Sequence, residues 1–152
     1  MEQHEVRDRA LRLLSIREHS RQELARKLAA RLPDDAPIDA VLDALEQNNL
    51  LSESRFAASY VNERLQKGFG PHRIAAELQQ RGIDKDTISQ QLSLDDATWA
   101  EYLVNAYQRR FGDTIPQNAK ERARCARFLE YRGFPSRLIA RFLAHHDCIK
   151  QP

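Results

Sequence analysis

The sequence is poor in the residue types that build compact chemistry. Its two cysteines, Cys125 and Cys148, are too few and too isolated for a disulfide framework or a structural zinc site, so both are expected to be reduced. Cys148 closes a run of His145, His146, Asp147 and Cys148 at the end of the chain. Four adjacent ligands on a fraying tail do not converge easily on one tetrahedral ion, and no metal or other cofactor is expected. The histidines are scattered (His4, His19, His72, His145 and His146), and no serine has a base and an orienting partner within reach of its sequence pattern. No catalytic residues are assigned. No apolar run approaches the ~20 residues that span a bilayer, and the opening MEQHEVRDRALRLL has no signal-peptide core, which places the expectation on a cytoplasmic protein without membrane association. Nothing alternates with the period of a strand.

Glycine is also sparse, and its most suggestive cluster is "KGFGPHRIAAELQQRGI", Lys67 to Ile83. A phosphate-binding loop of the Gly-x4-Gly-Lys-Ser/Thr type brings backbone N–H groups, a lysine and a magnesium-binding hydroxyl together on one phosphate. Here the lysine precedes the glycines and no hydroxyl follows. The segment instead reads as helix punctuation. Pro71 suits a first helical position, Ile74, Ala75 and Leu78 form an apolar stripe, Gly82 stops the helix, and Asp84 caps the next one.

What is present is a repeat. Leu78 followed by "QQRGI" matches Leu129 followed by "EYRGF", with Ile88 against Ile139 and Leu92 against Leu143. "RFAASYVNERLQ" aligns with "TWAEYLVNAYQR", setting Phe56 against Trp99 and Val61 against Val104. An earlier copy aligns "SRQELARKL" so that Leu24 meets Leu78 and Lys27 meets Arg81, and its Ser20 and Glu23 form a capping box. The expected fold is all-α: three tandem three-helix repeats, residues 1–51, 52–94 and 95–152, in an elongated, curved array.

Charge is distributed unevenly over a formal net of +2. Through Leu51 there are eight Lys/Arg against ten Asp/Glu, whereas from Asp95 onward there are ten against seven. A gradient of this kind suits a polyanion or an acidic protein surface as partner. Lys120, Arg124 and Arg127 make one helical stripe, and Arg109, Arg110, Arg64, Lys67 and Arg73 extend the set of candidate partner contacts. Lys27, Arg81 and Arg132 recur in the last turn of a helix, where a cation favours the dipole. Glu23 and Glu77 stand four residues before the first two, in the favourable ion-pair order. Phe128 takes that place before Arg132, which is therefore expected to be the freest of the three to meet a partner.

These residues, in this order, resemble the RecX family of bacterial recombination regulators. The resemblance rests on "SRQELARKL", on "LLSESRFAASYVNERLQKGFGPHRIAAELQQRGI" from Leu50 to Ile83, and on "FLEYRGFPSRLI". The chain departs from the pattern in a longer first loop holding Pro33 and Pro37, and in His72 where a second basic residue is common. The resemblance implies a helical, modular, non-enzymatic protein that lies in the groove of the RecA nucleoprotein filament. It also implies restraint of recombinase, ATP hydrolysis and LexA-coprotease activities, in DNA repair, recombination and the SOS response. A monomer is expected, with single- or double-stranded DNA as a further candidate partner. The competing reading is a helical DNA-binding module acting directly on nucleic acid.

Overall fold

The structure, a computed structural model, describes the backbone of residues 1–150 and the side chains of residues 1–145, so the side chains of His146 and Cys148 lie outside the described residues. Among the described residues there are nine helices and no strand: α1 Gln3–Ile16, α2 Arg21–Ala29, α3 Ile38–Gln47, α4 Glu53–Gln66, α5 Pro71–Gln80, α6 Lys85–Gln91, α7 Asp96–Phe111, α8 Ala119–Arg132 and α9 Ser136–Lys150. No helix among them is long and apolar enough to cross a membrane.

The helix ends follow the local chemistry of the sequence. Ser20 and Glu23 close a reciprocal capping box at α2, with both hydrogen bonds at 3.1 Å. Asp84 accepts from the Thr87 N–H at 2.7 Å, Asp95 from Thr98 at 2.8 Å and Asn118 from Glu121 at 2.9 Å. Each satisfies an N-terminal N–H that the helix itself cannot. The stops of α5 and α8 are copies of each other. The Ile83 N–H donates to Leu78 O and the Phe134 N–H to Leu129 O, both at 3.1 Å, around Gly82 and Gly133 in positive φ.

Two compact units emerge, Met1–Tyr60 with Leu78–Gln91 and Val61–Glu77 with Leu92–Pro152. In the first, α1, α2 and α3 pack on one another around Val6, Ala10, Leu24, Leu28, Leu32, Val41, Leu42, Leu45 and Leu51. The nine-residue α2 is too short to persist alone in water, and burial of Leu24 and Leu28, at about 2 kcal/mol each, is what holds it helical. In the second unit, α7, α8 and α9 pack on one another with Trp99, Leu103, Tyr107, Cys125, Leu129, Leu138 and Ile139 buried. Cys125 behaves as a small hydrophobe whose thiol burial pushes its pKa up.

Alignment by helix starts corrects the repeat register in the first copy. α2 opens at Arg21 and α5 at Pro71, so Leu24 corresponds to Ile74 and Leu28 to Leu78, and all four are buried. Matching Leu24 to Leu78 displaces the copies by one helical turn. It does so because α2 lacks the Arg-Gly-apolar stop that anchors the other two.

Also in the first unit, His19 is almost fully buried. Its Nδ1 lies 3.0 Å from Arg17 O and its Nε2 lies 2.9 Å from Lys27 Nζ. The ammonium has only donors, so Nε2 accepts and Nδ1 carries the proton. Burial pulls the His19 pKa below its ordinary value of 6.5, and the charges of Arg17 and Lys27 act the same way against the Arg17 carbonyl.

Two expectations follow. A Cβ at Gly70 would stand 2.7 Å from the carbonyl carbon and oxygen of Gly133 and from Phe134 N, all main-chain atoms that cannot swing aside. Gly70→Ala should lower stability by about 1–3 kcal/mol in urea unfolding, and an unchanged midpoint would refute the close approach. The unfolded chain protonates His19 near 6.5 while the folded chain resists, so its contribution is complete above that value and lost as pH falls through the lower folded value. The melting temperature should drop between pH 7.5 and 5.5, and His19→Gln should flatten that dependence.

Candidate interaction surface

The loop between α4 and α5 is short because Gly68, at φ 89°, reverses the chain at once. The Phe69 N–H returns to Arg64 O at 3.1 Å, and Gly70 and Pro71 then open α5. This geometry leaves the Phe69 ring among three guanidinium groups. Arg64 Cζ lies 3.8 Å from its centroid, Arg73 4.5 Å and Arg132 4.6 Å. Each such contact stabilises by about 0.5–1 kcal/mol where partly exposed, and more as water is excluded.

The remaining N–H edges are held in different ways. Arg64 grips Glu77 with two bonds, Nε to Oε1 at 3.0 Å and Nη2 to Oε2 at 2.9 Å. Arg73 Nε stands 4.0 Å from the same carboxylate, and its Nη1 donates to Tyr131 O at 3.3 Å. Arg132 donates to Lys67 O at 3.2 Å and Arg109 to Gln66 O. Lys67 pairs with Glu63 at 3.0 Å. Arg64 and Arg73 thus draw on one carboxylate, while Arg109 and Arg132 end on neutral carbonyls that orient them without cancelling their charge. Burial, then the charges of Arg73, Arg64 and Arg109, hold the Arg132 pKa below its ordinary value.

A second group of cations stands on α7 and α8. Arg110 lies over Phe111 at 5.1 Å and Arg124 over the same ring at 5.8 Å, while Lys120 and Arg127 are exposed on α8. The two groups are joined through rings. Arg132 stacks on Phe128 at 5.1 Å as well as on Phe69, and Phe128 meets Phe111 edge to face at 5.4 Å. Phe69, Arg132, Phe128, Phe111 and then Arg110 and Arg124 make a ladder of aromatic and guanidinium contacts within the second unit. Fixed guanidinium forks on such a ladder suit carboxylates and phosphates, which they can bind two bonds at a time.

The family model described as the first three-helix domain of RecX matches residues 7–45, that of the second 52–92 and that of the third 100–143. The chain belongs to the RecX family. It is 47% identical over 139 residues to regulatory protein RecX of Pseudomonas savastanoi pv. phaseolicola, covering 91% of this chain and 90% of the relative. The regulatory protein RecX of Pseudomonas syringae pv. tomato is 44% identical over 139 residues. The crystal structure of RecX from Lactobacillus salivarius matches with a TM-score of 0.78 over 96% of this chain and 97% of its own, at 22% identity, which is agreement in fold.

Within this RecX-family chain, five of the nine cations singled out from sequence lie about the α4–α5 loop, with Arg64, Arg73 and Arg132 on the Phe69 ring and Lys67 and Arg109 beside it through Glu63 and Gln66 O. Of the other four, Arg110 and Arg124 meet Phe111, while Lys120 and Arg127 stand exposed on α8 without a ring. Arg132 differs from expectation. The phenylalanine that stands in for glutamate at Phe128 does not free it but stacks on it. Lys27 also differs: Glu23 is taken by Arg17 at 3.0 Å and by the capping box, so the lysine turns to His19. Arg81 lies over Tyr60 at 4.7 Å. Sequence reasoning missed Phe69, Phe111, Phe128, Glu77 and Tyr131 as parts of the surface. The available signal was aromatic residues interleaved with arginines, above all Phe128 and Arg132 one turn apart. Among the described residues, no group of three His, Cys, Asp or Glu side chains could hold a metal.

The ring at position 69 should be required for its π face and not for its bulk. Phe69→Leu is expected to cost about 1–2 kcal/mol in urea unfolding, with Phe69→Tyr close to wild type. Equal stability of the two variants would show that the guanidinium contacts contribute nothing.

Proposed function

We propose that the chain binds the RecA nucleoprotein filament through this ladder and thereby restrains the recombinase, ATP hydrolysis and coprotease activities of RecA, without chemistry of its own. It acts as a monomer in the cytoplasm, with helical repeats bounded at residues 51/52 and 94/95. The observation that carries this reading is the set of guanidinium groups fixed by rings and carbonyls and left positively charged. Kinship with regulatory proteins named RecX supports it. A surface whose cations are already ordered gives up little side-chain freedom when it meets acidic groups. Contact with RecA protomers, with the phosphates of the bound strand, or with both is compatible with that chemistry.

The test is RecA ATPase on single-stranded DNA against increasing amounts of wild type and of Arg124→Glu/Arg127→Glu. These two residues are exposed on α8, so the variant should keep its circular dichroism spectrum. It should need roughly ten times more protein for half inhibition, and wild-type binding should weaken as salt rises through the physiological range. Full inhibition by the folded variant would remove Arg124 and Arg127 from the surface. Steeply salt-dependent binding to naked DNA that RecA does not improve would favour a DNA-binding module acting directly on nucleic acid.

A further inference from the structure

The first unit carries a basic concavity that the ladder does not use. It encloses about 500 Å³ and is lined by Arg9, Arg12 and Leu13 of α1, Lys27 and Leu28 of α2, and Ala30, Arg31 and Leu32 just beyond α2. Its floor is apolar: Leu28 and Leu32 are 2% and 8% exposed, and Leu13 is half-buried. Its rim holds four cations, and none of the eight lining residues is acidic. Lys27 is steered by its bond to His19. The guanidinium groups of Arg9, Arg12 and Arg31 enter no ion pair within the described residues, unlike Arg17, Arg21 and Arg55 of the same unit, which all do.

Uncompensated cations around a leucine floor select for a ligand that offers both carboxylates and an apolar side chain. A phosphate backbone would satisfy the rim and leave the accessible apolar wall at Leu13 and Ala30 uncovered, whereas a purely apolar ligand would bury charge without a partner. We propose that this concavity docks an acidic peptide segment of a protein partner, with one apolar side chain of that segment seated against Leu13 and Ala30 above the buried Leu28 and Leu32, and its flanking carboxylates paired to Arg9, Arg12 and Arg31. Its volume lies in the range of sites that take a few side chains, and an apolar anchor within a charged ring is the usual division of labour at such contacts. The proposal stands on α1, α2 and the turn after α2 alone, and does not depend on how the ladder of the second unit binds RecA.

The test uses the full chain and fluorescence anisotropy with three labelled probes: a short Glu/Asp-rich peptide bearing one central leucine, the same peptide with that leucine replaced by serine, and a single-stranded oligonucleotide. The leucine peptide should bind, the serine peptide should bind several-fold more weakly, and Arg12→Glu/Arg31→Glu should weaken the leucine peptide by about ten-fold or more. Both arginines are exposed, and circular dichroism checks that the variant folds. Unaltered affinity in the folded variant would overturn the proposal, as would equal affinity for the two peptides. Loss of oligonucleotide binding, with no loss of peptide binding, would assign the concavity to nucleic acid instead.

Discussion

Two helix ends meet in the second unit through main-chain atoms. The first N–H groups of α5 have no partner within their own helix, and neither do the last carbonyls of α8. They satisfy each other: Gly70 N donates to Arg132 O at 2.7 Å and His72 N to Gly133 O at 2.9 Å. The approach is close enough to need glycine on both sides, since a Cβ on Gly133 would stand 2.5 Å from Arg73 N and Cβ. Phe69 precedes one of these glycines and Arg132 the other. The same hydrogen bonds that join the helices therefore bring the aromatic ring to the guanidinium group, and the ladder follows from a backbone contact.

The first unit holds a relative of this junction. The stop of α5 at Gly82 faces the start of α2 at Gln22, as the stop of α8 at Gly133 faces the start of α5 at Arg73. In both, a helix-stop glycine lies against the beginning of the second helix of the preceding repeat. The repeat is thus a unit of sequence, and the packing unit takes the stop from one copy and the start from another. In the first unit the contact is with the flexible Gln22 side chain, and in the second it is with main chain. Only the second is tight enough to fix what its neighbours can do.

Local chemistry was legible from the chain. Ser20 with Glu23, Asp84, Pro71 and Gly82 all act within a few residues of themselves, and the three-helix periodicity is readable because two copies share an Arg-Gly-apolar stop. What could not be read was anything that depends on residues far apart. Phe69 is indistinguishable from a loop hydrophobe until Arg64, Arg73 and Arg132 arrive from three helices. Within its own helix Arg132 lacks a glutamate four residues earlier, which looks like freedom until the Phe128 ring at that place stacks on it. The register of the first repeat depends on the opposite kind of signal: Leu24 and Leu78 share an apolar letter, but the Ser20–Glu23 capping box fixes the start of α2 and so pairs Leu24 with Ile74.

The way the arginines are anchored separates form from charge. Arg109 and Arg132 are oriented by carbonyl oxygens and rings, and these short contacts are barely weakened by dissolved ions. Attraction for an acidic partner acts over longer distances and is screened within about 10 Å at 0.1 M salt. At high ionic strength the surface would therefore keep its shape while losing its reach. A partner already seated would experience salt mainly as a change in how often it arrives, and much less in how well it fits once there.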